Sequence, residues 1–505
     1  MGCDMADKHK FDKDLDSNLN YLKDLLGVGE NFDVIFREYL VGRKRAASFS
    51  INGMTNDIVL SQVLESVLTV KPEELTINTL QKVFKTRANH LQVKLQANVN
   101  DAVTSLLSGE TLFLIDGEDQ AIVIDARAYP VRAPAESSLE RVTRGSRDSF
   151  VETIVYNTAL IRRRLRDPNL RFEIVKVGTR SQCDIAVAYI KDITNPKFVD
   201  EVKERLNKIN IDGVPMAEKA IEEYLTGQKR WNIFPLVRYT ERPDIAVVHL
   251  LEGHVCIIVD TSPDIIILPT TFWHHVQHAE EFRQNVVIGT YLRTIRLLGI
   301  LMSLLLPPLW LSMVFQRHLL PEALAFLGPR DPGIIPLGLQ FILAEIGFEI
   351  VRMATVHVPT AQATALGFIG AFMLGEFATQ VGLFGTETIF YIAVAAVGSF
   401  ATPSVEFAMA MRLCRMVLLV LVMLFKLPGL IGGLIGLAIL LFNTKSFSVP
   451  YMWPLVPFNF TAFKDVMFRL PIPHKVLRPA VLKPQDLDRL GDKKDGAEDK
   501  DKNKN

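Results

Sequence analysis

The chain has 505 residues, too long for a single domain, and its 56 Lys+Arg are balanced by 56 Asp+Glu for a formal net charge of zero. That balance excludes a protein held to nucleic acid by bulk charge. Four cysteines without CxxC spacing (Cys3, Cys183, Cys256, Cys414) exclude a disulfide framework and fit a reducing compartment.

The mean hydropathy of +0.20 averages two unlike halves. Residues 1–290 carry charge at ordinary globular density, whereas uncharged runs dominate from Leu297 to Phe442. The N-terminus is charged and lacks the apolar stretch of a signal peptide, and Ala6 stands where a myristoylation signal needs Ser or Thr. Residues 1–27 therefore read as a charged leader, and the following domain as one kept in the cytoplasm.

Two segments of the soluble half repeat each other. LLSGETLFLID at 106–116 matches LLEGHVCIIVD at 250–260, and Ala102-Val103 matches Ala246-Val247 upstream. Each copy reads as a helix end, a Gly turn, an apolar strand and a closing Asp. A second strand follows in both, AIVIDA at 121–126 and DIIILP at 264–269. Before the second copy stand FEIVKVG and CDIAVAYI, of strand type, and the helical NPKFVDEVKERLNKI. The pattern predicts a small α/β unit used twice. Neither copy holds a phosphate loop, a GxSxG elbow or a HExxH helix, so no catalytic residue is expected.

Between the copies lies RGSRDSFVETIVYNTALIRRRLRDPNLR at 144–171, with seven arginines against three acids. Ser149 and Glu152 have capping-box spacing, which predicts a helix start there. Phe150, Ile154, Ile161 and Leu165 give it one buried face. Arg162, Arg163, Arg164 and Arg166 complement the dipole of its last turns, and Asp167-Pro168 ends it. Two readings stay open: a solvated linker helix, or a docking element for an acidic surface or anionic lipid. A nucleic-acid partner is not expected, since no aromatic platform accompanies the arginines.

Further along, Leu297–Phe315, Thr388–Val405 and Leu427–Thr444 are free of charge and long enough to cross a bilayer. Ile334–Val351 is interrupted by two glutamates, and Ala361–Gly375 is followed by Glu376. Five such runs predict a polytopic membrane protein. Arg283, Arg293 and Arg296 before the first run, with Lys445, Lys464, Arg469, Lys475 and Arg478 after the last, put both ends inside. The number of crossings is then even, six or four. Glu345, Glu349 and Arg352 share a helical face, and Glu376 interrupts the next run. These four residues either line a cation path or neutralise one another. Arg412 and Arg415 read as a return to the inner interface before Met416–Phe425. Small residues at Ala363, Gly367, Ala371 and Gly375, and at Gly429, Gly432, Gly433 and Gly436, read as close helix packing. Pro307-Pro308, Thr402-Pro403-Ser404 and Leu427-Pro428-Gly429 mark helix breaks. His274, His275 and His278 with Glu281 have helical spacing but too few ligands for zinc, so neither a metal nor another cofactor is expected.

The expected fold is a multi-domain membrane protein: an N-terminal soluble α/β domain of two related subdomains, then an all-α polytopic transmembrane domain of about four to six helices. The subdomains span 28–140 and 141–285, the second opening with the Arg-rich linker helix. The transmembrane domain spans 286–445, and a cytoplasmic tail spans 446–505, disordered from about 485.

The arginine-rich stretch also resembles the signature of the GerA family, the A subunits of bacterial spore germinant receptors. In that family an Arg-Gly block precedes a Glu-x4-Asn-x2-Leu-Ile-Arg-Arg-Arg pattern, matched here by Arg144, Gly145, Arg147, Glu152, Asn157, Arg162, Arg163 and Arg164. FRQNVVIGTYLRTIRLLG at 282–299, EIGFEIVRMA after Ala344, SFATPS at 399–404 and VPYMWPLVPFN at 449–459 extend the likeness. Within the family, residues 250–285 resemble the stage V sporulation branch more than the receptor A subunits. The resemblance implies a protein of the spore inner membrane, its N-terminal domain and C-terminus on the core side, acting in germination. It implies a homo-oligomeric ring conducting monovalent cations. It also implies membrane partners, either another SpoVA-operon protein or GerA-type B and C subunits.

Overall fold

A computed structural model describes residues 10–69, 92–129, 140, 142–227, 232–319, 328–330, 332–357 and 360–490. The chain divides into two compact units. One takes the residues up to Gly227, then Tyr239–Pro269, then Pro471 onward; the other takes Gln228–Arg238 and Thr270–Leu470.

The first unit holds two five-stranded sheets. One is built from β1 (Val34–Val41), β2 (Lys44–Ile51), β3 (Val93–Gln96), β4 (Thr111–Ile115) and β5 (Ala121–Ile124). The other is built from β6 (Leu170–Val177), β7 (Cys183–Ile190), β8 (Arg238–Thr240), β9 (Val255–Val259) and β10 (Ile265–Leu268). Their strand orders are β1-β2-β4-β5-β3 and β6-β7-β9-β10-β8, the same path walked twice. The offset between the matching sequences carries Thr111 to Val255 and Ala121 to Ile265, so the repeat in the sequence is a repeat in the fold. Every strand residue of the two central hairpins is buried, because TLFLI, AIVI, VCIIV and IIIL are apolar at every position but Thr111.

Residues expected as a leader are part of this core. Leu15, Leu19, Leu22 and Leu26 recur at helical spacing on Leu15–Leu26 and pack with Phe11 against β2 and β4 residues. Asp14 caps the helix by accepting from the Ser17 N–H, and Gly27, at φ +65, ends it. Residues 471–490 of the expected tail are part of this unit too, and residues 491–505 lie outside the described residues. Pro471–Leu490 lies on the second subdomain, where Gln485 donates to the carbonyls of Lys191 and Thr194 at 2.8 Å each. Disorder from about 485 is therefore corrected for residues 485–490: the Gln485 N–H donates to the Ile193 carbonyl and the Arg489 N–H to the Val476 carbonyl, at 2.8 Å each.

The second unit is helical. Val286–Phe315 and Val405–Asn443 are long and apolar enough to cross a membrane, and Thr386–Phe400 is a shorter apolar helix. Leu337–His357 and Thr360–Ala371 stand between them in sequence. The first helix continues through Pro307 and Pro308, so the break expected there is absent. The break at Thr402–Ser404 is present, with Ser404 capping the next helix through the Phe407 N–H. Near Pro428-Gly429 the chain turns at Lys426, whose φ is 57 and ψ −135, and Gly433 comes to lie against Leu418. Gly299 and Gly398 let Val286–Phe315 and Thr386–Phe400 touch, since a Cβ on Gly398 would stand 2.3 Å from the Gly299 carbonyl oxygen. Of the stripes read from the sequence, Gly367, Gly375, Gly432 and Gly436 face open space, and the Ala371 side chain lies outside the described residues. Residues 446–470, expected in the tail, belong to this unit: Tyr451 is fully buried and its carbonyl accepts from the Phe272 N–H at 2.8 Å.

Candidate functional site

The arginine helix runs Ile154–Arg164, later than the spacing of Ser149 and Glu152 predicts. The expected capping box is not formed. Asn157 instead accepts from the Val151 N–H at 2.8 Å and donates to its carbonyl at 2.6 Å, holding the preceding chain extended to Thr153. Glu152 is exposed and its carbonyl accepts from the Thr261 N–H at 2.7 Å, fixing the linker to the second subdomain.

Arg162 is fully buried. Its Nε donates to Asp33 Oδ2 at 2.7 Å and its Nη2 to Oδ1 at 3.2 Å. Nη1 reaches the Asp167 carbonyl at 2.7 Å, Nη2 the Leu170 carbonyl at 3.1 Å, and the guanidinium lies over Phe172. A charge taken from water this completely is tolerated only when its donors are met, and here both carboxylate oxygens and two carbonyls meet them. Asp33 opens the first subdomain's sheet, so the pair ties the two subdomains together. Arg162 is thereby corrected as a docking residue: no surface can reach it.

Its neighbours differ. Arg164 pairs with Asp148 at 2.6 Å, partly buried. Arg163 is exposed, 4.6 Å from the centre of the Tyr129 ring. Arg144, Gly145, Arg147 and Arg166 are exposed as well.

The charges expected in the apolar half form a second cluster. Glu345 is 7% exposed and Arg415 1%. Arg415 Nε stands 2.7 Å from Glu345 Oε1, and Nη2 donates to Oε2 at 2.8 Å. Arg415 Nη1 also donates to the Ser303 carbonyl at 2.7 Å and to its hydroxyl at 3.0 Å. One guanidinium so joins Val286–Phe315, Leu337–His357 and Val405–Asn443. Glu349, one turn beyond Glu345, takes the Arg352 Nε at 3.1 Å and lies 3.5 Å from Arg412. Arg412 and Arg415 lie on Val405–Asn443 ahead of its turn at Lys426 and supply the counter-charges. Glu376 is exposed on a π-helical stretch, Phe372–Phe377, accepts from Gln380 at 3.2 Å, and among the described residues pairs with none of these arginines.

A third cluster was not read from the sequence. Glu281 is fully buried; Arg293 Nε donates to it at 2.7 Å and Arg296 pairs with its other oxygen. Arg293 also donates to the Val466 carbonyl at 2.7 Å, and Arg469 to that of Phe282 at 2.8 Å. Gly289 is the close approach that permits this, for a Cβ there would stand 2.7 Å from Arg469 Cδ. The three neighbouring histidines divide. His274 Nδ1 accepts from the Thr271 N–H, and His278 Nδ1 from the Glu280 N–H. His275 is buried parallel to the Phe407 ring at 5.9 Å, and burial, with the charge of Arg238, lowers its pKa to about 3.

Residues 20–481 match the model of the Bacillus/Clostridium GerA spore germination protein. The chain is 42% identical to stage V sporulation protein AF of Bacillus subtilis over 468 residues, 93% of this chain and 95% of that protein. It is 31% identical to spore germination protein KA of the same organism over 470 residues, 92% of this chain and 86% of that one. Among solved structures it is similar to the N-terminal domain of the A subunit of the Bacillus megaterium spore germinant receptor GerK3, at 27% identity and a TM-score of 0.41, covering 52% of this chain and 97% of that domain.

Proposed function

On the premise that the chain belongs to the GerA family of spore germination proteins, we propose that it is a non-enzymatic membrane protein of the spore inner membrane that oligomerises and passes monovalent cations during germination. Both ends lie on the core side, and the membrane partners are other germination proteins, of the SpoVA operon or of the B and C receptor type. The observation that carries this reading is the charge network of Glu345, Arg415, Glu349, Arg352 and Arg412 among apolar helices. Each charge at membrane depth costs a few kcal/mol, and such a cost is ordinarily borne where ions or protons pass. Open faces at Gly367 and Gly375 leave room for further helices of a ring about a cation path.

A second reading has its own support. The same network is neutralised pair by pair, as a rigid, non-conducting subunit coupling a signal to a separate channel requires. Planar-bilayer conductance of the purified protein separates the two. Conduction predicts a cation current that falls in Glu345→Gln and Glu349→Gln while membrane insertion is retained. No current from the wild type, alone or with its operon partner, leaves the coupling reading.

A further inference from the structure

The second subdomain holds a cluster of metal-ligand side chains at a helix end. Helix Pro243–Glu252 ends at Gly253, whose φ of +98 turns the chain back on itself. The His254 N–H donates to the His249 carbonyl at 3.1 Å, so the His254 ring folds over that of His249, edge to face with centres 4.8 Å apart. Glu252 lies between them in sequence, and all three are buried, at 6%, 6% and 1% exposure for His249, Glu252 and His254. One ligand atom from each lies within 4.8 Å of the others. Small side-chain rotations bring such atoms to the ~2.0–2.2 Å of zinc–nitrogen and zinc–oxygen bonds.

The carboxylate already faces two cations. Lys475 Nζ lies 2.6 Å and Arg489 Nη1 3.4 Å from Glu252 Oε1, both reaching in from the Pro471–Leu490 strap.

We propose that His249, Glu252 and His254 form a site for a divalent transition metal of the zinc class, and that the metal and the Lys475 ammonium compete for the Glu252 carboxylate. Two imidazoles and one carboxylate suit zinc or cobalt, leaving a fourth position for water or another ligand. Metal entry displaces Lys475 and loosens the strap from the second subdomain.

The test uses tag-free, full-length protein in detergent, stripped with chelator and titrated with Co²⁺, then with Zn²⁺ in competition. The wild type is expected to show the visible bands of four-coordinate cobalt at one equivalent per chain, abolished by zinc. His249→Gln, His254→Gln and Glu252→Gln should each weaken binding about tenfold or more. Lys475→Gln, which removes a competitor and no ligand, should tighten it several-fold. Zinc should also speed tryptic cleavage after Lys475 in the wild type but not in His254→Gln. Absence of stoichiometric cobalt binding by the wild type overturns the proposal. So does unchanged affinity in Lys475→Gln, which decides the matter even if a ligand variant fails to fold.

Discussion

Arg162 in the α/β unit and Arg415 in the helical unit solve the same problem in different surroundings. Each is almost wholly buried, each grips a carboxylate, and each spends its remaining donors on carbonyl or hydroxyl oxygens. Arg162 joins two copies of one repeated fold, where the alternative to pairing is exposure to water. Arg415 joins three helices of a unit whose outer faces are apolar, where the alternative is far costlier. The comparison teaches that an arginine-rich signature is not one functional object. Its inner member is an internal tie, whereas Arg163 and Arg166 stand exposed.

The comparison breaks hardest at Arg162. Arg162→Met strands Asp33 in the core and is expected to destabilise the α/β unit by about 3–5 kcal/mol, seen as an early unfolding transition in calorimetry. Loss of less than about 1 kcal/mol would show that the tie is dispensable. A middle effect sharpens the contrast from the helical side. His275 is neutral when folded, with a pKa near 3, against an ordinary 6.5. The unfolded chain binds the extra proton between those values, so this contribution to stability is whole above pH 6.5 and is lost toward pH 3. The expected slope is about 1.4 kcal/mol per pH unit. His275→Phe should flatten the acid limb of a thermal-melt series, and an unaltered limb would assign the acid sensitivity to another group. The smallest effect belongs to the outer arginines. Arg163→Ala, losing one exposed cation–ring contact, should shift stability by about 0.5 kcal/mol or less. A larger loss would make the outer set structural as well.

The sequence was most legible where its signals were local. Repetition of Leu-Leu-x-Gly followed by an apolar run and Asp disclosed the duplicated sheet, because strand and turn chemistry sit within a dozen residues. The spacing of Glu345 and Glu349 disclosed a shared face for the same reason. Their partners were not legible. Asp33 lies 129 residues before Arg162 and Glu345 lies 70 before Arg415, separations across which only folding supplies proximity. The leader was misread because its acids and lysines obscured the four leucines at helical spacing between Leu15 and Leu26. Ser149 and Glu152 misled in the opposite way: the spacing was right, but Asn157 had already claimed the local backbone.

The α/β unit is discontinuous in the chain, entered by the first 227 residues and finished by the strap beginning at Pro471. A ribosome delivers those parts at opposite ends of synthesis. Until Lys475 and Arg489 emerge, Glu252 has neither of its strap cations, and the nascent unit waits while every apolar helix is made and disposed of. Completion of the α/β unit therefore reports that the helices between have been translated, an order of assembly written into the connectivity itself.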